Sequence, residues 1–127
     1  MITKQKRPKF LNLLQIHLPV TGVNSFAHRV SGALLFLAIP IFIYCFSLSV
    51  KDKASFDEVL ALLSSVPFKL LFTVLAWALG HHLLAGIRFL LHEIEIGASL
   101  SASKMASWLV NIAGVVIFIW VGSRIWL

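Results

Sequence analysis

The chain has 127 residues, of which 59% are hydrophobic and only 13% are charged, and its mean hydropathy is +0.93. Soluble domains carry about 25% charged residues, and a chain this short could not bury so much apolar surface in water, so the composition excludes an ordinary soluble protein. The net charge of +6 therefore indicates membrane topology rather than a nucleic-acid partner. The single cysteine, Cys45, excludes an internal disulfide and a cysteine-based metal site.

The N-terminal tail is basic, with four Lys and Arg residues before an apolar stretch that Pro and polar residues interrupt. No uninterrupted apolar core leads to a small-residue cleavage site, so we do not expect a cleavable signal peptide. Lys and Arg close to a first span are retained in the cytoplasm. The tail therefore predicts a cytoplasmic N-terminus.

A spanning helix needs about 20 mostly apolar residues, and three segments reach that length. We expect them to cover about residues 30–50, 68–91 and 105–126. A short surface helix, Phe56–Ser64, is expected in the first connection, with acidic residues in its first turn. The predicted fold is an all-α membrane protein with three transmembrane helices, a single membrane-anchor domain over residues 1–127.

Two polar clusters interrupt these apolar segments. One lies at the mouth of the first span and the other in the run HHLLAGIRFLLHE; their main members are Ser25, His28, Arg29, His82 and Arg88. Ionisable side chains inside a membrane are costly and are therefore functional candidates. Consecutive spans are antiparallel, so both clusters meet in one half of the membrane, with His82 about 9 Å deeper than Arg88.

These residue types fit a haem site. A neutral imidazole in a helix bundle suits axial ligation of haem iron, and His82 is the candidate. Haem propionates need cationic partners, which we expect to be Arg29, His28 and Arg88. His81 points about 100° away around the helix and cannot ligate the same iron. Since His28 is expected to lie too near the surface, a second ligand would come from a partner subunit, which predicts a hetero-oligomeric helix bundle.

Each candidate also has a purely structural explanation. Gly32 and Gly86, each four residues after a histidine, would let a flat macrocycle or simply another helix approach closely. The other structural alternatives are a packing role for His82 and His81, a snorkelling role for Arg29, an ion pair between Arg88 and Glu93, and a helix N-cap at Ser25. The convergence of these residues in one half of the membrane favours a functional site.

The chain resembles the cytochrome b subunit of succinate dehydrogenase, the large membrane anchor of respiratory complex II. The resemblance depends on an Arg-Pro pair in the tail, on Ser-x-x-His-Arg-x-Ser-Gly over residues 25–32, and on His-x-x-x-Gly-Ile-Arg over residues 82–88. These motifs, in this order on three spans, cover essentially the whole chain. The sequence departs from the family pattern at five positions, where it has Lys9, His81, Phe89, His92 and Glu93.

The resemblance implies a role for each matching residue. His82 corresponds to an axial ligand of haem b, with the other ligand supplied by a second small anchor subunit. His28 and Arg29 correspond to residues near the haem propionates. Ser25 and Arg29 correspond to donors in a ubiquinone pocket, which Phe26 and Leu13 would help to wall.

The function implied is that of a membrane anchor of a succinate:ubiquinone oxidoreductase, a subunit that is not catalytic alone. It would help to bind haem b and form part of the ubiquinone-reduction site, with electrons arriving from an iron–sulfur subunit that is joined to a flavoprotein subunit. The implied location is the bacterial inner membrane. Two alternatives stay open: a quinol-oxidising anchor of the fumarate reductase type, and a cofactor-free structural anchor or small transporter.

Overall fold

The structure, a computed structural model, describes residues 17–127, so the basic tail with Leu13 lies outside the described residues. Four helices follow in order: α1 Val20–Ser49, α2 Lys53–Leu63, α3 Val66–Glu93 and α4 Leu100–Trp126. Helices α1, α3 and α4 are each long and apolar enough to cross a membrane, and residues 17–127 contain no strand. The prediction of an all-α fold with three spanning helices is confirmed.

The helix bounds differ from the predicted spans mainly at two starts. Helix α1 begins ten residues before the predicted span because Asn24, a polar residue in its second turn, is buried inside the bundle and does not end the helix. Ser25 therefore lies within α1, and its interpretation as a helix N-cap is wrong. Helix α4 begins five residues early, where the Ser99 hydroxyl accepts a hydrogen bond from the Ala102 N–H at 3.3 Å.

The first connection contains the expected surface helix, but with a different start. Asp52 is the N-cap of α2, and its carboxylate accepts the Ser55 N–H at 2.7 Å. Asp57 consequently lies in the second turn, where it pairs with Lys53 at 3.2 Å, so its predicted first-turn position is wrong. Hydrogen bonds from the Ser55 backbone and side chain lower the pKa of Asp52 below its ordinary value.

Within residues 17–127, more of the buried side chains are polar than apolar. Large apolar side chains cover the outer surface of the bundle, as expected for a surface that contacts lipid or a partner helix. At Gly80 the helices touch, since an added Cβ would lie 2.5 Å from Ile117 Cδ1 on α4. Most of the buried polar side chains lie toward the end of the bundle where α1 begins, α3 ends and α4 begins. We call this region the N-terminal end of the bundle. The buried polar residues there are Asn24, Ser31, His81, Arg88, Ser103 and Ser107.

Candidate functional site

His82 of α3 is held against α1 by its Nδ1 atom. Nδ1 lies 3.1 Å from the carbonyl oxygen of His28 and 3.3 Å from the hydroxyl of Ser31. The Ser31 hydroxyl donates its own hydrogen to the His28 carbonyl at 2.8 Å, so both groups facing Nδ1 are acceptors. Nδ1 must therefore carry the hydrogen, which leaves the lone pair on Nε2 available for a metal ion.

This close approach depends on a glycine. A Cβ added at Gly32 would lie 2.8 Å from Cε1 of His82 and 3.3 Å from its Nδ1. Any larger residue would push the imidazole away from α1 and from the His28 carbonyl. The expectation that Gly32 allows a close approach is therefore confirmed for another helix.

The His28 ring stacks on the His82 ring, with the centroids 4.1 Å apart and the planes 9° from parallel. The expectation that His28 lies too near the surface to reach the level of His82 is wrong. Because α1 begins at Val20, His28 lies within the helix and beside His82. Stacked rings do not direct their nitrogen lone pairs at a common point, so this geometry is not that of two ligands on one metal ion. Within residues 17–127, no three His, Cys, Asp or Glu side chains form a group that could hold a metal.

The predicted quinone residues lie on the outer surface of α1. Ser25 is four residues before Arg29 and seven before Gly32, so these three share one face of the helix. Ser25 is partly exposed, Arg29 is exposed, and Phe26 is 56% exposed on a neighbouring face. Leu13 lies outside the described residues. The hydroxyl and guanidinium thus lie on the helix face that also carries the contact with His82.

Arg88 lies inside the bundle and not at its surface, since the residue is only 9% exposed. Its Nη1 donates to Oδ1 of Asn24 on α1 at 3.2 Å, and its Nη2 donates to the hydroxyl of Ser103 on α4 at 2.8 Å. The expected pairing of Arg88 with Glu93 is wrong because the guanidinium turns inward to these two partners. Since both Nη atoms are engaged, Arg88 is also a poor candidate for a propionate partner.

His81 belongs to the same buried network and faces away from His82. It is 1% exposed, and its Nε2 lies 3.1 Å from Oδ1 of Asn111 on α4. Asn24 donates to the same oxygen at 3.0 Å. The expectation that His81 cannot share a metal ion with His82 agrees with this geometry. The sequence reasoning missed both asparagines, although an amide within a spanning segment was the available signal.

Comparison with known proteins identifies related chains. The family model of the succinate dehydrogenase/fumarate reductase transmembrane subunit matches residues 3–121. The succinate dehydrogenase cytochrome b556 subunit of Coxiella burnetii is 30% identical over 95% of this chain and 98% of its own. The subunits of the same name from Rickettsia bellii and Rickettsia felis are 31% and 28% identical, over 91% of this chain and 92% of theirs.

Proposed function

This chain belongs to the succinate dehydrogenase/fumarate reductase transmembrane subunit family, and we propose that it is the large membrane anchor of a succinate:ubiquinone oxidoreductase. It is a multi-pass membrane protein with three spanning helices. In the proposed complex it helps to bind haem b and forms part of the ubiquinone-reduction site. The observation that carries the haem part of the proposal is the contact of His82 Nδ1 with the His28 carbonyl at 3.1 Å, from which the tautomer of His82 is inferred.

The residues around His82 fit an axial ligand of haem iron. Haem-ligating histidines donate their second ring N–H to a carbonyl or carboxylate, which sets the tautomer and the ring orientation. His82 has this arrangement, with Nδ1 3.1 Å from the His28 carbonyl. When bound, haem b would supply a one-electron redox centre. This chain's contribution is to hold the ring still and to present a basic Nε2, while the second ligand comes from the partner anchor subunit.

Two basic residues lie near this ligand. His28 stacks directly on the His82 ring, and Arg29 is exposed on the adjoining surface of α1. Arg29 is the stronger propionate partner because its guanidinium stays charged and matches a carboxylate. In this proposal, His28 acts mainly by buttressing the ligand ring.

The quinone site is proposed at Ser25 and Arg29, with Phe26 and Leu13 as apolar walls. Reduction of a quinone carbonyl places negative charge on its oxygen, and fixed hydrogen-bond donors aimed at that oxygen stabilise the charge. The Ser25 hydroxyl and the Arg29 guanidinium are such donors. They lie one helical turn apart on the surface of the bundle, where a ligand can reach them.

We further propose that this chain assembles with a second small anchor subunit, an iron–sulfur subunit and a flavoprotein subunit. Electrons from succinate reach the quinone through the iron–sulfur subunit, so this chain alone is inactive. The basic tail supports a cytoplasmic N-terminus in a bacterial inner membrane. That orientation directs the N-terminal end of the bundle, with both proposed sites, toward the cytoplasm.

The main competing function is a quinol-oxidising anchor of the fumarate reductase type, which the family description also covers. The motifs at Ser25–Gly32 and His82–Arg88 favour the succinate side. A cofactor-free anchor or small transporter is disfavoured because it gives no reason for fixing the tautomer of a histidine within a span.

The quinone site is tested in the assembled complex by steady-state kinetics with succinate and a ubiquinone analogue. Ser25→Ala removes one hydrogen bond, worth about 0.5–1.5 kcal/mol, and should raise KM for the quinone by about 2- to 10-fold. Val23→Ala, a change of an exposed apolar residue in the same helical turn, is the matched control. An unchanged KM in Ser25→Ala, or an equal rise in both variants, would remove Ser25 from the site.

A further inference from the structure

A chain of four polar side chains crosses the interior of the bundle, beside the proposed haem ligand and without contacting it. Arg88 contacts Asn24 at 3.2 Å, Asn24 contacts Asn111 at 3.0 Å, and Asn111 contacts His81 at 3.1 Å. We call Asn24 and Asn111 the amide bridge. It joins α1 to α4 and connects two residues of α3 that are seven positions, or two helical turns, apart.

The direction of each hydrogen bond among these four side chains follows from Arg88. A guanidinium only donates, so Asn24 must present its Oδ1 to Arg88 and its Nδ2 to Asn111. Asn111 then accepts through Oδ1, and the same oxygen must accept from His81. Nε2 of His81 therefore carries the hydrogen. The amide bridge thus allows only one tautomer at His81 and only one orientation of each amide.

Helix association alone does not require this network. Close contacts such as that at Gly80 already bring the spanning helices together, and buried polar groups can often be replaced by apolar ones at little cost. The network is also incompletely satisfied, since Arg88 Nε and His81 Nδ1 are buried with no hydrogen-bond partner in the described part of the chain. The network is therefore better explained by a role in orienting helix α3 than by a role in holding the helices together.

That role is to fix the rotation of α3 about its own axis. His81 and His82 point about 100° apart, so bonds from both to neighbouring helices restrain rotation in a way that one bond does not. A rotation of about 10° moves atoms 5 Å from the helix axis by about 0.9 Å. A shift of that size along the contact between His82 Nδ1 and the His28 carbonyl would lengthen it from 3.1 Å to about 4.0 Å, which is beyond hydrogen-bonding distance.

We propose that the amide bridge is a positioning device, which acts through His81 to hold His82 in the orientation needed for ligation. This inference rests on the proposed function, because it takes His82 as the haem ligand. Neither asparagine contacts His82, and neither belongs to the motifs that identify the site. Both are therefore positioning residues, and haem binding is the property that they should affect.

His81→Leu and His81→Gln test this role in the assembled complex. Both variants lack an imidazole, but the Gln amide keeps an N–H donor for Asn111. The readouts are the rate of haem transfer to excess apomyoglobin and the electron paramagnetic resonance spectrum of the oxidised haem. Loss of a supporting group typically costs about 10–100-fold in metal affinity, so His81→Leu should release haem at least about tenfold faster with a changed spectrum. His81→Gln should resemble the wild type.

Asn111→Leu provides a second, independent test of the same connection. Alone it should match His81→Leu, and the double variant should release haem no faster than either single variant, because both interrupt one chain. Ile112→Ala, on the exposed side of the same helix, is the control. The inference is overturned if His81→Leu releases haem at the wild-type rate, or if His81→Gln releases it as fast as His81→Leu does. It is also overturned if the effects of His81→Leu and Asn111→Leu on that rate add independently. Absence of haem from the wild-type complex would instead refute the proposed function.

Discussion

Gly32→Ala should weaken the haem site through a single methyl group. The added Cβ would lie 2.8 Å from Cε1 of His82, whereas carbon atoms pack at about 3.5–4.0 Å. The ring must therefore retreat from α1 by about 0.7 Å or more. A retreat of that size along the contact between Nδ1 and the His28 carbonyl would lengthen it from 3.1 Å to about 3.8 Å, which is no longer a hydrogen bond.

The energetic terms can be set against each other. Overpacking costs about 1–3 kcal/mol, and the lost hydrogen bond costs about 0.5–1.5 kcal/mol. Alanine regains about 1 kcal/mol of helix propensity over glycine. The net destabilisation of the His82 site is therefore about 0.5–3.5 kcal/mol, which corresponds to roughly 2- to 400-fold weaker haem retention, since each 1.4 kcal/mol is a factor of about ten.

The assay is the haem content and haem-transfer rate of the purified complex, compared with Gly22→Ala. Gly22 lies on the same helix, and a Cβ there would meet only Pro19 and Leu18 at 3.4 Å or more, which is ordinary contact. Gly22→Ala should keep the wild-type haem content. Equal haem retention in the two variants would refute the reasoning, because a methyl group meets the His82 ring at position 32 and not at position 22.

Two further predictions concern other parts of the chain. Arg88→Leu should lower the stability of the complex by about 1–3 kcal/mol, because it leaves Asn24 and Ser103 without their hydrogen-bond donor. Detergent-induced unfolding measures this loss, and an unchanged unfolding midpoint would argue against Asn24 and Ser103 as partners of Arg88. The pKa of Asp52 is lowered by Ser55. The stabilisation that the Asp52 carboxylate gives to α2 is therefore fully present above the ordinary Asp pKa near 4 and is lost as the pH falls through the lower pKa of the folded state. The protection factor of the Ser55 amide against hydrogen exchange should fall in that acidic window for the wild type but not for Asp52→Asn, which keeps the cap without titrating; an equal fall in both would contradict the capping argument.

Much of the architecture could be predicted because apolar length determines where a chain can cross a membrane. The three spans, the surface helix and the meeting of the two polar clusters in one half of the membrane all follow from that constraint and from antiparallel packing. Helix starts were predicted less well. Hydropathy ends a span at its first polar residues, whereas α1 continues because Asn24 turns inward to Arg88.

The details of the site could not be predicted because they depend on which way each polar side chain turns. Arg88 has the same sequence environment whether it snorkels to the surface or enters the bundle, and only the positions of Asn24 and Ser103 decide between the two. The stacking of His28 on His82 likewise depends on the axial offset between α1 and α3. The proposal of His82 as the ligand rests on its spacing to Gly86 and Arg88, which matches the family motif.

The central claim, that His82 ligates haem b, is tested most directly by a dithionite-reduced minus oxidised visible spectrum of membranes that contain the assembled complex. The wild type and His81→Gln should show the same b-type α-band, and His82→Ala should lose it or weaken it strongly. An α-band that survives unchanged in His82→Ala, with the complex assembled in normal amounts, would contradict the account.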